Sequence, residues 1–195
     1  FKEISVQREA LLDHVLIQLE QHGLAATLPE LLQGFDITES ELQPFWPDKD
    51  ALIFDCLRHH GQQIDIWQRQ VILDETLTTE QKLLARYDQL AMRLEKNRFP
   101  GCLFVAACSA YPDEHSQIHQ LSQRQKQSSF EYSRMLLRKL DLEDSELVAK
   151  QMELILEGCL SRLMVNRRAD DITTAKLLAQ DILKIAQCRK NGALS

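Results

Sequence analysis

The chain has 195 residues, 44% of them hydrophobic and 27% charged, with 23 Lys and Arg against 29 Asp and Glu for a formal charge of −6. That length can bury one good core with room for a small second module, and the balance is that of an ordinary globular protein. Six Gly and five Pro are too few for a loop-rich β protein, so the expected fold class is all-α.

No apolar run approaches about 18 residues, and no N-terminal apolar stretch ends in a small-residue cleavage site. Neither secretion nor contact with a membrane is expected, and the cytoplasm is the expected compartment. The five cysteines (Cys56, Cys102, Cys108, Cys159, Cys188) are odd in number and lack CxxC spacing. They describe no disulfide framework or zinc finger and are expected as small buried hydrophobes. Cys56, His59 and His60 would share a helical face, but no second pair with suitable spacing completes a metal site. No metal or cofactor is expected.

In chain order, Leu11, Leu12, Val15, Leu16 and Leu19 repeat at helical spacing and stop at Gly23, a C-cap candidate. Thr27-x-x-Glu30 and Thr38-x-x-Glu41 are capping boxes that announce two short helices, separated by a turn from Gly34 to Ile37. Asp48 caps the next, long helix, which carries Ile53, Leu57, Ile64, Trp67 and Val71. Thr78-x-x-Gln81 opens a helix running to about Asn97, with Leu83, Leu84, Tyr87, Leu90 and Met92 available for packing, and Pro100-Gly101 breaks it. A short apolar helix, Cys102 to Ala110, is closed by Pro112, and a long one follows from about Glu114 to Leu140. Two more are expected at about Ser145 to Val165 and Thr174 to Cys188. Both are apolar over more of their girth than one core contact needs, which predicts a second covered surface, that of another subunit in a four-helix dimer interface.

The order of these signals resembles the TetR family of transcriptional regulators. The resemblance is carried by Gly23-Leu24-Ala25-Ala26-Thr27, by Ile37-Thr38, by Leu42 with Phe45-Trp46-Pro47-Asp48-Lys49-Asp50-Ala51-Leu52, and by FPGCLFVAAC from Phe99 to Cys108. It implies a three-helix helix-turn-helix module in residues 1–47 and a helical effector-binding and dimerisation domain in residues 48–195. It also implies a homodimer whose third helix enters the major groove of double-stranded DNA. Thr27, Thr38, Glu39, Ser40 and Gln43 would contact DNA and Lys49 would bind phosphate, while Leu42 and Phe45 would be core residues behind the helix. The effector would be an unknown small molecule in a cavity walled by Trp67, Tyr87, Met92, Phe104, Tyr111 and Phe130, with Met135 a further candidate.

The surface chemistry departs from that pattern. Residues 1–60 hold four basic side chains (Lys2, Arg8, Lys49, Arg58) against eleven acids, so the acidity of the chain sits in the part meant for a polyanion. Phosphate neutralisation supplies most nonspecific DNA affinity. Gln43 replaces the usual aromatic, Asp36 stands at the family's turn glycine, and Pro44 disfavours a regular helix around it. The expected function is a dimeric regulator, a repressor released by its effector. The alternative is a TetR-fold dimer that binds a small molecule or protein and no longer binds DNA. No nucleophile elbow, phosphate loop or HExxH motif appears, so an enzyme is not expected.

Overall fold

A computed structural model describes residues 2–98 and 101–192, with side chains from residue 7 onward. Pro100, expected to break the fifth helix, lies with Phe99 outside the described residues. The described residues form helices without a strand: α1 (Lys2–His22), α2 (Leu28–Leu32), α3 (Glu39–Leu42), α4 (Lys49–Leu73), α5 (Thr79–Glu95), α6 (Leu103–Ala110), α7 (Gln117–Leu137), α8 (Ser145–Asn166) and α9 (Ala169–Lys190). A 3-10 turn, Arg138–Leu140, extends α7.

The helices begin where side chains can satisfy their first N–H groups. Glu30 accepts from the Thr27 N–H at 2.7 Å, Glu41 from the Thr38 N–H at 2.8 Å, and Gln81 from the Thr78 N–H at 2.8 Å, each threonine capping in return. Asp48 accepts from the Ala51 N–H at 2.8 Å. Two boundaries differ from expectation. The last helix starts at Ala169 and not near Thr174, because Arg167 turns the chain in a left-handed conformation (φ 47°, ψ 43°). Asp170 and Asp171 then occupy the first turn of α9, where the helix dipole favours acids. The seventh starts at Gln117 because the Asp113 carboxylate accepts from the His115 N–H (2.9 Å) and holds a turn ahead of it.

The chain divides into two compact units, Phe1–Asp65 with Leu103–Gln125, and Ile66–Cys102 with Lys126–Ser195. In the first, α1 buries Leu11, Leu12, Val15, Leu16 and Leu19 and packs on α2. It is tied to α4 by the Cys56 thiol donating to the Leu12 carbonyl (3.9 Å) and by His59 against Asp13 (2.9 Å). His60 stacks on Phe104 of α6 with ring centroids 5.4 Å apart.

In the second unit α8 and α5 pack on α9, and the core runs through Leu83, Tyr87, Leu136, Met152, Leu156, Leu163, Ala179 and Leu183. The wide apolar stripes resolve into two faces. Val148, Met152, Leu156 and Leu163 of α8 are buried, while Leu147, Leu154, Met164 and Val165 are exposed. On α9, Ala175, Ala179 and Leu183 are buried, while Leu177, Leu178 and Ile185 are exposed.

Candidate nucleic-acid interface

The α2–turn–α3 segment is set by backbone chemistry. Gly34 takes the left-handed conformation that the turn needs (φ 86°). Asp36 was expected to tolerate that role and does not fill it, because the chain places the turn two residues earlier. Helix α3 is a single turn. Its last bonds are the Gln43 N–H to the Glu39 carbonyl (3.0 Å) and the Trp46 N–H to the Leu42 carbonyl (3.0 Å). Pro44, between them, has no N–H with which to continue the ladder.

Thr38 and Thr27 are N-caps, while Glu39, Ser40 and Gln43 are exposed on or beside α3. Glu41 is fastened to Thr38, and the hydrogen bonds from the Thr38 backbone and hydroxyl hold its carboxyl below the ordinary range. Glu30 is held down in the same way by Thr27. These acids are pinned and ionised. Leu42 is buried as expected, but Phe45 is not a core residue: it is 53% exposed. The turn forced after Leu42 sends Trp46 inward in its place, where the indole N–H donates to Asp55 at 2.9 Å.

Asp55 counts as one more repelling acid in the sequence, yet it is a buried hub. Arg8 and Arg58 both pair with it, the latter at 2.8 Å, and the Arg8 guanidinium lies 5.1 Å over the Trp46 ring. Burial alone would raise its pKa, but the Trp46 and Arg8 hydrogen bonds and the two arginine charges outweigh it, and the net shift is downward. Lys49 donates to the Leu24 carbonyl at 3.0 Å, which leaves two of its three N–H groups for another acceptor. Three basic side chains of this unit are therefore already engaged within the fold.

The expected effector-wall residues fall in both units. In the first, Phe104 is buried against His60, and the Tyr111 hydroxyl donates to Asp50 at 2.6 Å. In the second, Trp67 and Phe130 are half-buried, and Tyr87 is buried without a hydrogen-bond partner for its hydroxyl among the described residues. Burial pushes that phenol up to about 12. Met92 is 50% exposed and Met135 is also exposed, so Met92 does not pack with Leu83 and Tyr87 as its helix neighbours do.

A polar cluster in the second unit escaped sequence reasoning. Arg86 of α5 donates to Glu153 (2.7 Å), Ser129 (3.1 Å) and Ser133 (2.7 Å) inside the core. The signal was available: Arg86 sits in the apolar stripe of its helix, between Leu83 and Leu90. Cys56 and Cys159 are buried free thiols, the latter raised to about 11 by burial and then by Asp171. No group of residues suited to a metal ion occurs among those described.

No family model matches the chain. Its fold matches the TetR-family transcriptional regulator SCO4454 of Streptomyces coelicolor with a TM-score of 0.83 at 16% identity, over 93% of this chain and 96% of that one. A transcriptional regulator of Saccharomonospora viridis, solved in complex with choline, aligns at a TM-score of 0.72 and 13% identity over 92% and 96%. With its capped α2–turn–α3 at the head of an all-helical chain, the protein belongs to the TetR family of helix-turn-helix transcriptional regulators. Sequence points the same way. The HTH-type transcriptional regulator YjdC of Escherichia coli K12 is 51% identical over 191 residues, which span 97% of this chain and 100% of that protein. The protein of the same name from Shigella flexneri aligns equally well.

Proposed function

We propose that the protein is a homodimeric regulator that binds operator DNA through α2 and α3 and is released by a small-molecule effector. The observation that carries this reading is the placement of α3. A helix fixed at its start by the Thr38–Glu41 box presents Glu39, Ser40 and Gln43 outward, and the Lys49 ammonium, held at the Leu24 carbonyl ahead of α2, keeps N–H groups for a phosphate. Thr38 and Thr27, whose hydroxyls cap the two helices, complete the proposed contact set. In this reading residues 1–47, joined by Lys49, touch DNA, and the rest of residues 48–195 serves dimerisation and effector binding. The exposed Leu147, Leu154, Leu178 and Ile185 would meet their copies across a two-fold axis. Trp67, Tyr87 and Phe130, all in the second unit, stay as proposed effector contacts. The choline held by a relative of the same fold supports a small-molecule role.

The acidic surface favours a second reading, in which this unit no longer binds DNA. Binding to random-sequence duplex at two salt concentrations decides between them. If α3 faces DNA, Glu39→Gln tightens binding, and Glu41→Gln tightens it less while keeping the capping box. Lys49→Ala weakens binding to all sequences and flattens the salt slope by about one unit. No retention of any duplex at low salt by these variants, all folded, establishes the second reading.

A further inference from the structure

Phe45 and the buried Trp46, their ring centroids 6.0 Å apart, form a ridge after α3. On one side lies a hollow of about 210 Å³ with Phe35 and Ile37 in its wall and Asp36 and Glu41 at its edge. On the other side is a more polar hollow of about 460 Å³ that holds Asp48, Asp50 and Tyr111. Asp36, Glu41, Asp48 and Asp50 are all exposed. Arg8 is the one basic residue in either lining, and it is taken up by Asp55.

Arg8 shows what such a surface selects. Its guanidinium lies over the Trp46 face while its charge meets a carboxylate. A cation with an apolar stem that does both at once is a lysine or arginine side chain. Phe45 and the four exposed acids around it offer the same combination outward. A phosphate backbone would meet those acids with like charge, whereas a basic chain meets opposite charge.

We propose that the Phe45–Trp46 ridge docks a basic peptide segment of a partner protein. One apolar side chain of the segment fills the smaller hollow, and its lysines or arginines reach Asp36, Glu41, Asp48 and Asp50. The docking surface shares Glu41 with α3, and its other acids, Asp36, Asp48 and Asp50, flank that helix.

The test is fluorescence anisotropy of the intact protein with a short labelled peptide of lysines around one phenylalanine. The peptide is expected to bind, to weaken as salt rises, and to lose about tenfold in affinity on Phe45→Ser. The pair Asp36→Asn with Glu41→Gln, which retains the capping box, is expected to weaken it similarly. A peptide with serine for phenylalanine, having nothing to fill the smaller hollow, should bind wild type more weakly, and equal affinity overturns that contact. The proposal fails if the folded Phe45→Ser protein holds the lysine–phenylalanine peptide as wild type does, or if the glutamate counterpart of the peptide binds equally. Should Phe45→Ser not fold, unchanged affinity in the Asp36→Asn, Glu41→Gln protein overturns it. Should random duplex bind at the same salt and be weakened equally by Phe45→Ser, the ridge is a nucleic-acid contact and the peptide assignment is wrong.

Discussion

At the scale of single residues, buried charge decides the behaviour of both units. Glu153 is enclosed by Arg86, Ser129 and Ser133. Burial works to raise its pKa, but the Arg86 charge and the serine hydroxyls prevail and the net shift is downward. A carboxylate depressed in the folded state contributes stability above its ordinary pKa and loses it as pH falls through the lowered value. Glu153→Gln leaves Arg86 buried without its counter-charge and is expected to cost about 3–5 kcal/mol at neutral pH. Urea melts should show the gap between wild type and variant narrowing below about pH 4; a gap independent of pH would show that the ion pair is not the source. The Tyr111 hydroxyl raises a milder expectation. It fastens the end of α6 to the first turn of α4 through Asp50, and burial followed by that carboxylate pushes the phenol above its ordinary range. Tyr111→Phe should cost about 0.5–1.5 kcal/mol in the same melts, and no change would mean that solvent serves Asp50 equally well.

At the scale of elements, what could be read in the sequence was local chemistry. Thr27, Thr38, Asp48 and Thr78 each act within three residues of themselves, and all four cap the helices they were expected to cap. Pro44 predicted a groove helix of one good turn with a distorted end, and α3 ends at Leu42. What could not be read depends on distant partners. Asp55 needs Arg8 from 47 residues away, and Arg86 needs Glu153 from 67. The exposure of Phe45 follows from which of two adjacent aromatics reaches Asp55, a choice that composition and periodicity leave open. The candidate site was thus legible in its frame and illegible in its charge, because the side chains that neutralise one another come from separate helices. Pro44→Arg tests the frame. It restores the missing N–H and adds a cation beside α3, so it is expected to tighten binding to random duplex more than Glu39→Gln does. Equal or weaker retention, with the fold intact, would separate α3 from DNA altogether.

At the scale of the whole molecule, each unit poses its own problem: the first carries an acidic surface and the second an exposed apolar one. Exposed apolar side chains on α8 and α9 follow helical spacing, with Leu147, Leu154 and Val165 on one helix and Leu178 and Ile185 on the other. Leu154 is 72% exposed, and burying such a side chain is worth about 1.5–3 kcal/mol. Gly158, one turn on, has open space at its Cβ position, which would let a second helix approach closely. If two copies pair here, the protein should sediment near 45 kDa, twice its 22.5 kDa. The substitution that tests this must spare the protomer. Leu156 is buried in the core of its own unit, so Leu156→Glu would unfold the chain whether or not a dimer exists. Leu154→Glu touches only the outer face. It is expected to give a soluble protein of unchanged helicity that sediments as the monomer, or whose melting temperature depends more steeply on concentration than that of wild type. A wild-type protein that is itself a well-folded monomer at micromolar concentration would sink the dimer and leave these leucines as a surface without a mate. So would a Leu154→Glu variant as dimeric as wild type, for then the two-fold contact lies elsewhere on the chain.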